Sequence, residues 1–263
     1  MNTSMVKIEQ KDGIAIMYLD KPPVNAIDRR LVNDSVECLS SVEANNDVCA
    51  VVITGSGKCF SAGLDLKTVP YYKPSEQRLM VEELNDAILK LYGFPIPTVA
   101  AINGHAIAGG FILAISCDYR VGTNSACKLG LTESRVGIPF PVAAMEVLCA
   151  ELAPAPARRM TLVGQNVGAE EAFRNGVLDE LQPGDKVLSR ARDIAKDLGM
   201  MPREAYAQIK RQLRGETIAR IKRVVDEGSD PLLKTWINEE GRRASAEILA
   251  HEDQEGEFGL NDT

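Results

Sequence analysis

Two kinds of hydrophobic pattern alternate along the first half of the chain. Short apolar runs bounded by turn residues read as strands, and apolar positions three and four apart read as helices. Residues 6–9 and 14–19 flank Lys11-Asp12-Gly13 and predict a β-hairpin, which Asp20-Lys21-Pro22-Pro23 ends. From about Asp28, Leu31, Val32, Val36, Leu39 and Val42 recur at helical spacing. Residues 49–54 form a continuous apolar run, as expected of a strand buried on both faces. A loop over 55–68 and a helix over 75–92 follow, and Pro95-Ile96-Pro97 stops that helix. The next strand is 98–102, after which residues 104–117 pass through a glycine pair into an apolar helix. Residues 119–121 and 127–129 read as short strands.

Beyond Phe140 the pattern changes. Helices are predicted over 141–152, 156–164, 169–175, 186–199, 202–213 and 216–250, with one strand at 177–181. An α/β core followed by a helical extension is the implied class. The expected organisation is a core over 1–195, a helical region over 196–250, and an acidic, disordered tail over 251–263.

Composition narrows the function. The chain has 263 residues and a net charge of −7, with 45% hydrophobic and 25% charged residues. That is ordinary globular composition and argues against a general nucleic-acid binder. The longest apolar stretch, 106–117, is interrupted by Gly109, Gly110 and Ser116 and is too short to span a membrane. With no signal-like start, a cytoplasmic location is the expectation. Six scattered cysteines, none in Cys-x-x-Cys, and only two histidines argue against a zinc site on ligand count; reduced, buried thiols are expected.

Four segments carry candidate chemistry. Phe60-Ser61-Ala62-Gly63-Leu64-Asp65-Leu66-Lys67 follows a buried strand, and its small residues let a ligand lie against backbone N–H groups. Asn103-Gly104-His105-Ala106-Ile107-Ala108-Gly109-Gly110 opens a helix, so the Gly109 N–H can donate to an oxygen that gains charge. Glu133 lies among apolar stretches; buried, it suits a general base, whereas a solvated loop carboxylate or an ion pair with Arg135 is its ordinary reading. Residues 203–223 hold seven cationic side chains against Glu204 and Glu216, either facing a phosphate-bearing ligand or forming a solvated helix face.

Together these motifs resemble the crotonase (enoyl-CoA hydratase/isomerase) superfamily. The likeness covers roughly residues 6–250. It rests on Asp20-Lys21-Pro22-x-x-Asn25-Ala26, the Phe60 and Asn103 segments, Cys117-Asp118-Tyr119-Arg120, and Gly130-Leu131-x-Glu133-x-x-x-Gly137, all in register. The resemblance implies an α/β spiral of ββα units with a C-terminal helical trimerisation region, assembled as a homotrimer or homohexamer. It implies an acyl-CoA thioester as substrate, with no cofactor beyond the CoA that the substrate carries and no nucleic-acid or membrane partner. The backbone N–H groups of Leu64 and Gly109 correspond to the oxyanion hole. Ala62, Asp65, Leu66 and Lys67 correspond to the CoA path, with Gly110 and Phe140 also at the substrate, and Glu133 to a catalytic carboxylate. The second glutamate of the hydratases is matched by Ile112, so weak hydration is expected. The pattern is particularly similar to Δ3-Δ2-enoyl-CoA isomerases. It departs from them at His105-Ala106-Ile107 and Phe140-Pro141-Val142, where the substrate-side wall belongs. Other thioester-enolate reactions (decarboxylation, thioester hydrolysis, weak hydration) and a non-catalytic acyl-CoA binder are the alternatives. His105 is read as a hydrogen-bonded structural residue, with polarisation of a substrate group as the alternative. Asp118 is read as structural.

Overall fold

The computed structural model describes residues 4–255. In chain order the strands and helices begin with β1 (Val6–Lys11), β2 (Ile14–Leu19), α1 (Arg29–Glu43), β3 (Ala50–Gly55), β4 (Cys59–Ser61) and α2 (Pro74–Tyr92). Next come β5 (Thr98–Ile102), β6 (His105–Ile107), α3 (Gly109–Ile115), β7 (Tyr119–Thr123), β8 (Leu129–Gly130) and α4 (Glu133–Val136). Then follow α5 (Val142–Glu151), α6 (Pro154–Val163), β9 (Asn166–Val167), α7 (Ala169–Arg174), β10 (Glu180–Gln182), α8 (Val187–Gly199), α9 (Arg203–Asp226) and α10 (Glu239–Glu255).

Two sheets organise these elements, in the orders β1-β2-β3-β5-β7-β10 and β4-β6-β8-β9. The hairpin pair β1/β2 and the pair β8/β9 are antiparallel; the other neighbours are parallel. Three turns repeat the same path. In β3–β4–α2, β5–β6–α3 and β7–β8–α4 the first strand enters the large sheet, the second enters the small one, and a helix returns. The path is a spiral of ββα units.

The central strands β2, β3 and β5 of the large sheet are covered on both faces, which explains their near-continuous apolar runs. Ile16, Val52, Val99, Ala101 and Val121 pack under Val187, Ala191 and Ala195 of α8. On the other face Met17, Val51, Ile53 and Ala100 join Leu31, Leu91, Phe111, Val147 and Ile221 from the helical layer. Asp28 caps α1, its Oδ1 accepting from the Leu31 N–H at 2.9 Å.

Several boundaries differ from the sequence expectation. β4 and β9 replace stretches expected as loop, β6 occupies the start of the 104–117 stretch expected to lead into a helix, and β8 lies at Leu129–Gly130 rather than 127–129. Elements of two or three residues are too short to show a period. β10 starts at Glu180; Val177 and Leu178 are core residues ahead of it. The expected break near Gly215 does not occur. A helical glycine costs only about 1 kcal/mol, and α9 is anchored on both sides of it by buried Lys210, Arg214, Thr217 and Ile221. The expected single helix over 216–250 is in fact two. Left-handed Gly228 and Pro231 end the first, and a 3-10 turn at Pro231–Leu233 intervenes. α10 continues to Glu255, so the expected disordered tail is helical over its first residues; 256–263 lie outside the described residues. Residue 195, expected to close the core, falls inside α8. All six cysteines are free; Cys59 and Cys117 are buried, while Cys149 is exposed. Among the described residues no helix is long and apolar enough to cross a membrane.

Candidate active site

The site begins where the Phe60 and Asn103 segments touch. Asn25 is fully buried, and its Nδ2 donates to the carbonyls of Cys59 at 2.8 Å and Phe60 at 3.3 Å. Ser61 Oγ donates to the Asn25 carbonyl at 2.8 Å and accepts from the Gly63 N–H at 3.2 Å. These bonds fix the chain as it leaves β4. Gly63 then turns it with φ +83°, and a Cβ there would lie 2.6 Å from Ala108 Cβ and 3.1 Å from Gly109 N. Gly110 is equally constrained, since a Cβ would fall 2.4 Å from the Ser61 carbonyl oxygen. The glycines let two backbones meet where side chains would hold them apart. Gly63→Ala should therefore lower the unfolding free energy by about 2 kcal/mol through strain and overlap. Urea titration measures it, and an unchanged midpoint would contradict the contact.

The Leu64 and Gly109 amides have no protein acceptor among the described residues at this junction. Leu64 bridges Ile27 in parallel, with the Ile27 N–H donating to Gly63 O at 2.7 Å and the Asp65 N–H to Ile27 O at 2.8 Å. That register uses the residues on either side and leaves Leu64's own N–H unengaged. Gly109 is the first residue of α3, where an N–H has no acceptor within the helix. Ala108 before it holds φ 53° and ψ −126°, a strained conformation for a residue with a Cβ, and its N–H is tied to Gly130 O at 2.8 Å.

Leu64 and Gly109 both line a cavity of about 110 Å³. Its wall is almost entirely apolar, with Ile27, Leu66, Ala62, Ile112, Phe140 and Trp236 among the lining side chains, and Glu133 is the one ionisable residue in it among the described residues. Glu133 opens α4. It is half-buried as a residue, yet its Oε2 is sealed from solvent and has no hydrogen-bond partner. Burial pushes its carboxyl from the ordinary 4.5 up to about 7, opposed by the N–H groups of Glu133 and Thr132. The alternative ion pair with Arg135 is not formed, because Arg135 Nε donates to the carbonyls of Gly164 at 2.7 Å and Val163 at 3.2 Å. Ile112 is 1% exposed and lines the same cavity, so an alkyl group stands where a second carboxylate would be needed.

Outside lies a wider, more polar vestibule of about 370 Å³ that shares Ala62, Leu64, Leu66, Thr132 and Val136 with the inner cavity. Asp65 and Lys67 line it, together with Lys21, Lys128, Arg135 and Asn166. Lys21 bridges Asp28 at 2.6 Å and Asp65 at 2.7 Å, so a single cation is shared by two carboxylates and holds Asp65 in place. Gly110 lines neither space; its part is the packing against Ser61. Sequence reading missed Lys21, Trp236, Ile248 and Leu249, the last three brought in by the C-terminal segment. His105 Nδ1 accepts from the Lys128 N–H at 3.0 Å, as a structural histidine does, and burial lowers its pKa, with Lys128 adding to that.

The basic stretch over 203–223 fits neither of its expected roles as a whole. Lys210 Nζ and Arg214 Nη1 are buried against Asp118 at 2.6 and 2.9 Å, and Arg220 pairs with Glu146 at 2.6 Å. None of the seven cations lines the vestibule.

A spiral of ββα units whose two glycine loops meet over an apolar slot is the crotonase fold. Within it, the chain belongs to the enoyl-CoA hydratase/isomerase family, whose sequence model matches residues 9–252. It is 30% identical over 215 residues to rat mitochondrial enoyl-CoA delta isomerase 1, covering 81% of this chain and 74% of that protein. It is 33% identical to a putative enoyl-CoA hydratase of Thermus thermophilus, covering 74% and 77%. Human mitochondrial delta3-delta2-enoyl-CoA isomerase superposes with a TM-score of 0.87 at 26% identity, over 95% of this chain and 99% of that one. Relatives named for isomerisation and for hydration thus stand at similar identity.

Proposed function

We propose that the protein shifts the double bond of a 3-enoyl-CoA to give the trans-2-enoyl-CoA, with Glu133 as the proton shuttle. The observation that carries this reading is the pairing of one sealed carboxylate with Ile112 across an otherwise apolar cavity. Hydration needs a water held between an acid and a base, and the inner cavity offers one such group. A 1,3-proton shift needs only one. Ionised Glu133 takes the proton from C2, the electrons move into the thioester carbonyl to give a dienolate, and the same carboxyl returns the proton at C4. The N–H groups of Leu64 and Gly109 donate to the dienolate oxygen; an oxyanion donor of this kind is worth roughly 3–4 kcal/mol. The apolar wall keeps water from the dienolate. CoA enters with the substrate along Ala62, Asp65, Leu66 and Lys67, Phe140 borders the acyl group, and the scheme uses no metal or further cofactor.

The test is a pair of assays on one preparation. Trans-3-hexenoyl-CoA should convert to the trans-2 isomer while crotonyl-CoA is hydrated slowly or not at all. Acyl-CoA binding with neither activity would overturn the isomerase and favour decarboxylation, thioester hydrolysis or simple binding. The pH profile gives a second test. Because the starting base must be ionised, kcat/KM should rise with pH and level off above about 7, the value to which burial lifts Glu133. A plateau already reached at pH 5 would remove Glu133 as that base. We also propose the homotrimer or homohexamer, supported by an apolar stripe on α9 where Ile209 is 62% and Leu213 82% exposed. Light scattering on the eluting species should give three or six chain masses.

A further inference from the structure

Two spaces meet at one short segment. Inside is the apolar cavity of about 110 Å³; outside, an open groove of about 770 Å³ runs past Met145, Leu148, Cys149, Leu152 and Leu162. Glu133, Ile138, Pro139 and Phe140 line both, so the turn over 138–140, with Glu133 beside it, forms the partition. It is pinned from behind. Trp236 Nε1 donates to the Pro139 carbonyl at 2.8 Å, and the Val142 N–H donates to buried Asp230 Oδ2 at 3.0 Å. Asn85 holds Asp230 in turn, its Nδ2 donating at 3.0 Å. Two prolines flank Phe140 and further stiffen the backbone. Ile138 is a buried core residue, whereas Phe140 is half-buried between the two spaces. The inner cavity is also far smaller than the roughly 300–1,000 Å³ of sites that enclose a drug-sized ligand.

We propose that Phe140 is the end stop of the acyl cavity: it restricts the substrate to short acyl chains, and the groove beyond it is the space a longer chain would occupy. This rests on the acyl-CoA reading above but not on the isomerase reaction. The partition does not yield to a chain as a flexible loop would, because its carbonyl and the following amide are both bonded to the C-terminal segment. A tail longer than the cavity must therefore fold back toward the vestibule and lose its burial.

The test is a binding series with saturated butyryl-, hexanoyl-, octanoyl- and dodecanoyl-CoA, read by titration calorimetry and independent of turnover. Each methylene buried tightens binding by about fourfold, so affinity should climb along the short members, then drop by about tenfold or more at dodecanoyl-CoA. Phe140→Ala should abolish the drop, with Phe140→Leu in between. Adding Met145→Trp to Phe140→Ala should restore the drop by filling the groove. Equal wild-type affinity for hexanoyl- and dodecanoyl-CoA would overturn the stop. So would a drop that survives in both folded Phe140 variants. A long-chain gain that persists with Met145→Trp would overturn the groove as its destination. Failure of the folded wild type to bind any of the four would instead bring down the acyl-CoA reading itself.

Discussion

Glu133→Gln should lose activity and gain stability, the second only at neutral and alkaline pH. General acid–base groups contribute roughly 10²- to 10⁴-fold, and a loss of kcat in that range is expected with acyl-CoA affinity kept. The stability effect follows from burial. The folded protein holds the Glu133 proton up to about pH 7, whereas the unfolded chain releases it near the ordinary 4.5. Between those values the unfolded state binds fewer protons, so wild-type stability falls as pH rises through the interval. Above it the ionised carboxylate sits in the apolar cavity at its full cost, roughly 3 kcal/mol for a displacement of this size. Glutamine has the same shape and never ionises, though its amide gives back about 1 kcal/mol if unpaired. The variant should therefore resist urea better than wild type at pH 8 by roughly 1–3 kcal/mol, with the gap closing below pH 4.5. Equal stability at pH 8 would mean the carboxylate is solvated, and retained turnover would mean another group moves the proton.

The same contrast between local pattern and distant partner explains what the sequence made legible. β3 is readable because both of its faces are covered, so all six residues are buried and Ala50 to Ile53 run apolar without a break. Asp28 is readable as a helix start because the cap bond is local. Glu133 is different. Its flanking residues are apolar, but nothing local says that Arg135 turns to Gly164 and leaves the carboxylate sealed. The site roles of Leu64 and Gly109 came through family resemblance, since an unengaged amide depends on which strand lies beside it. Trp236 entered the cavity unannounced because Asn85, Asp230 and Val142 join segments far apart in the chain. Gly228 and Pro231, by contrast, were ordinary stop signals within a run expected to be helical.

Asp118→Ala should be among the most damaging single substitutions in the chain, away from the cavity altogether. Its carboxylate meets Lys210 at 2.6 Å and Arg214 at 2.9 Å, and accepts from the Thr98 N–H at 2.9 Å and Tyr206 Oη at 3.0 Å. All of this lies between the large sheet and α9. Lys210 and Arg214 keep carbonyl partners when the carboxylate goes, at Phe94 and Ile96 for the lysine and Tyr92, Ser116 and Cys117 for the arginine. Carbonyl dipoles do not replace a countercharge, and Arg214 retains only Glu151 at 3.4 Å. Removing one partner of a buried ion cluster costs about 3–5 kcal/mol. Asp118→Asn separates charge from shape, since an amide oxygen still accepts from Thr98 and Tyr206. If the charge matters most, both variants should fall by similar amounts. The pH dependence then identifies the stranded group. Burial already holds the Lys210 pKa below its ordinary value, with Asp118 opposing, so loss of the carboxylate must lower it further. A folded lysine that binds its proton less tightly than the unfolded chain makes stability rise with pH up to the ordinary lysine pKa. Both variants should therefore recover part of their loss between pH 7 and pH 9.5 in urea titrations, more steeply than wild type. A loss in Asp118→Ala that Asp118→Asn does not share, and that is flat with pH, would show that Asp118 acts through its hydrogen bonds and not as the countercharge to α9.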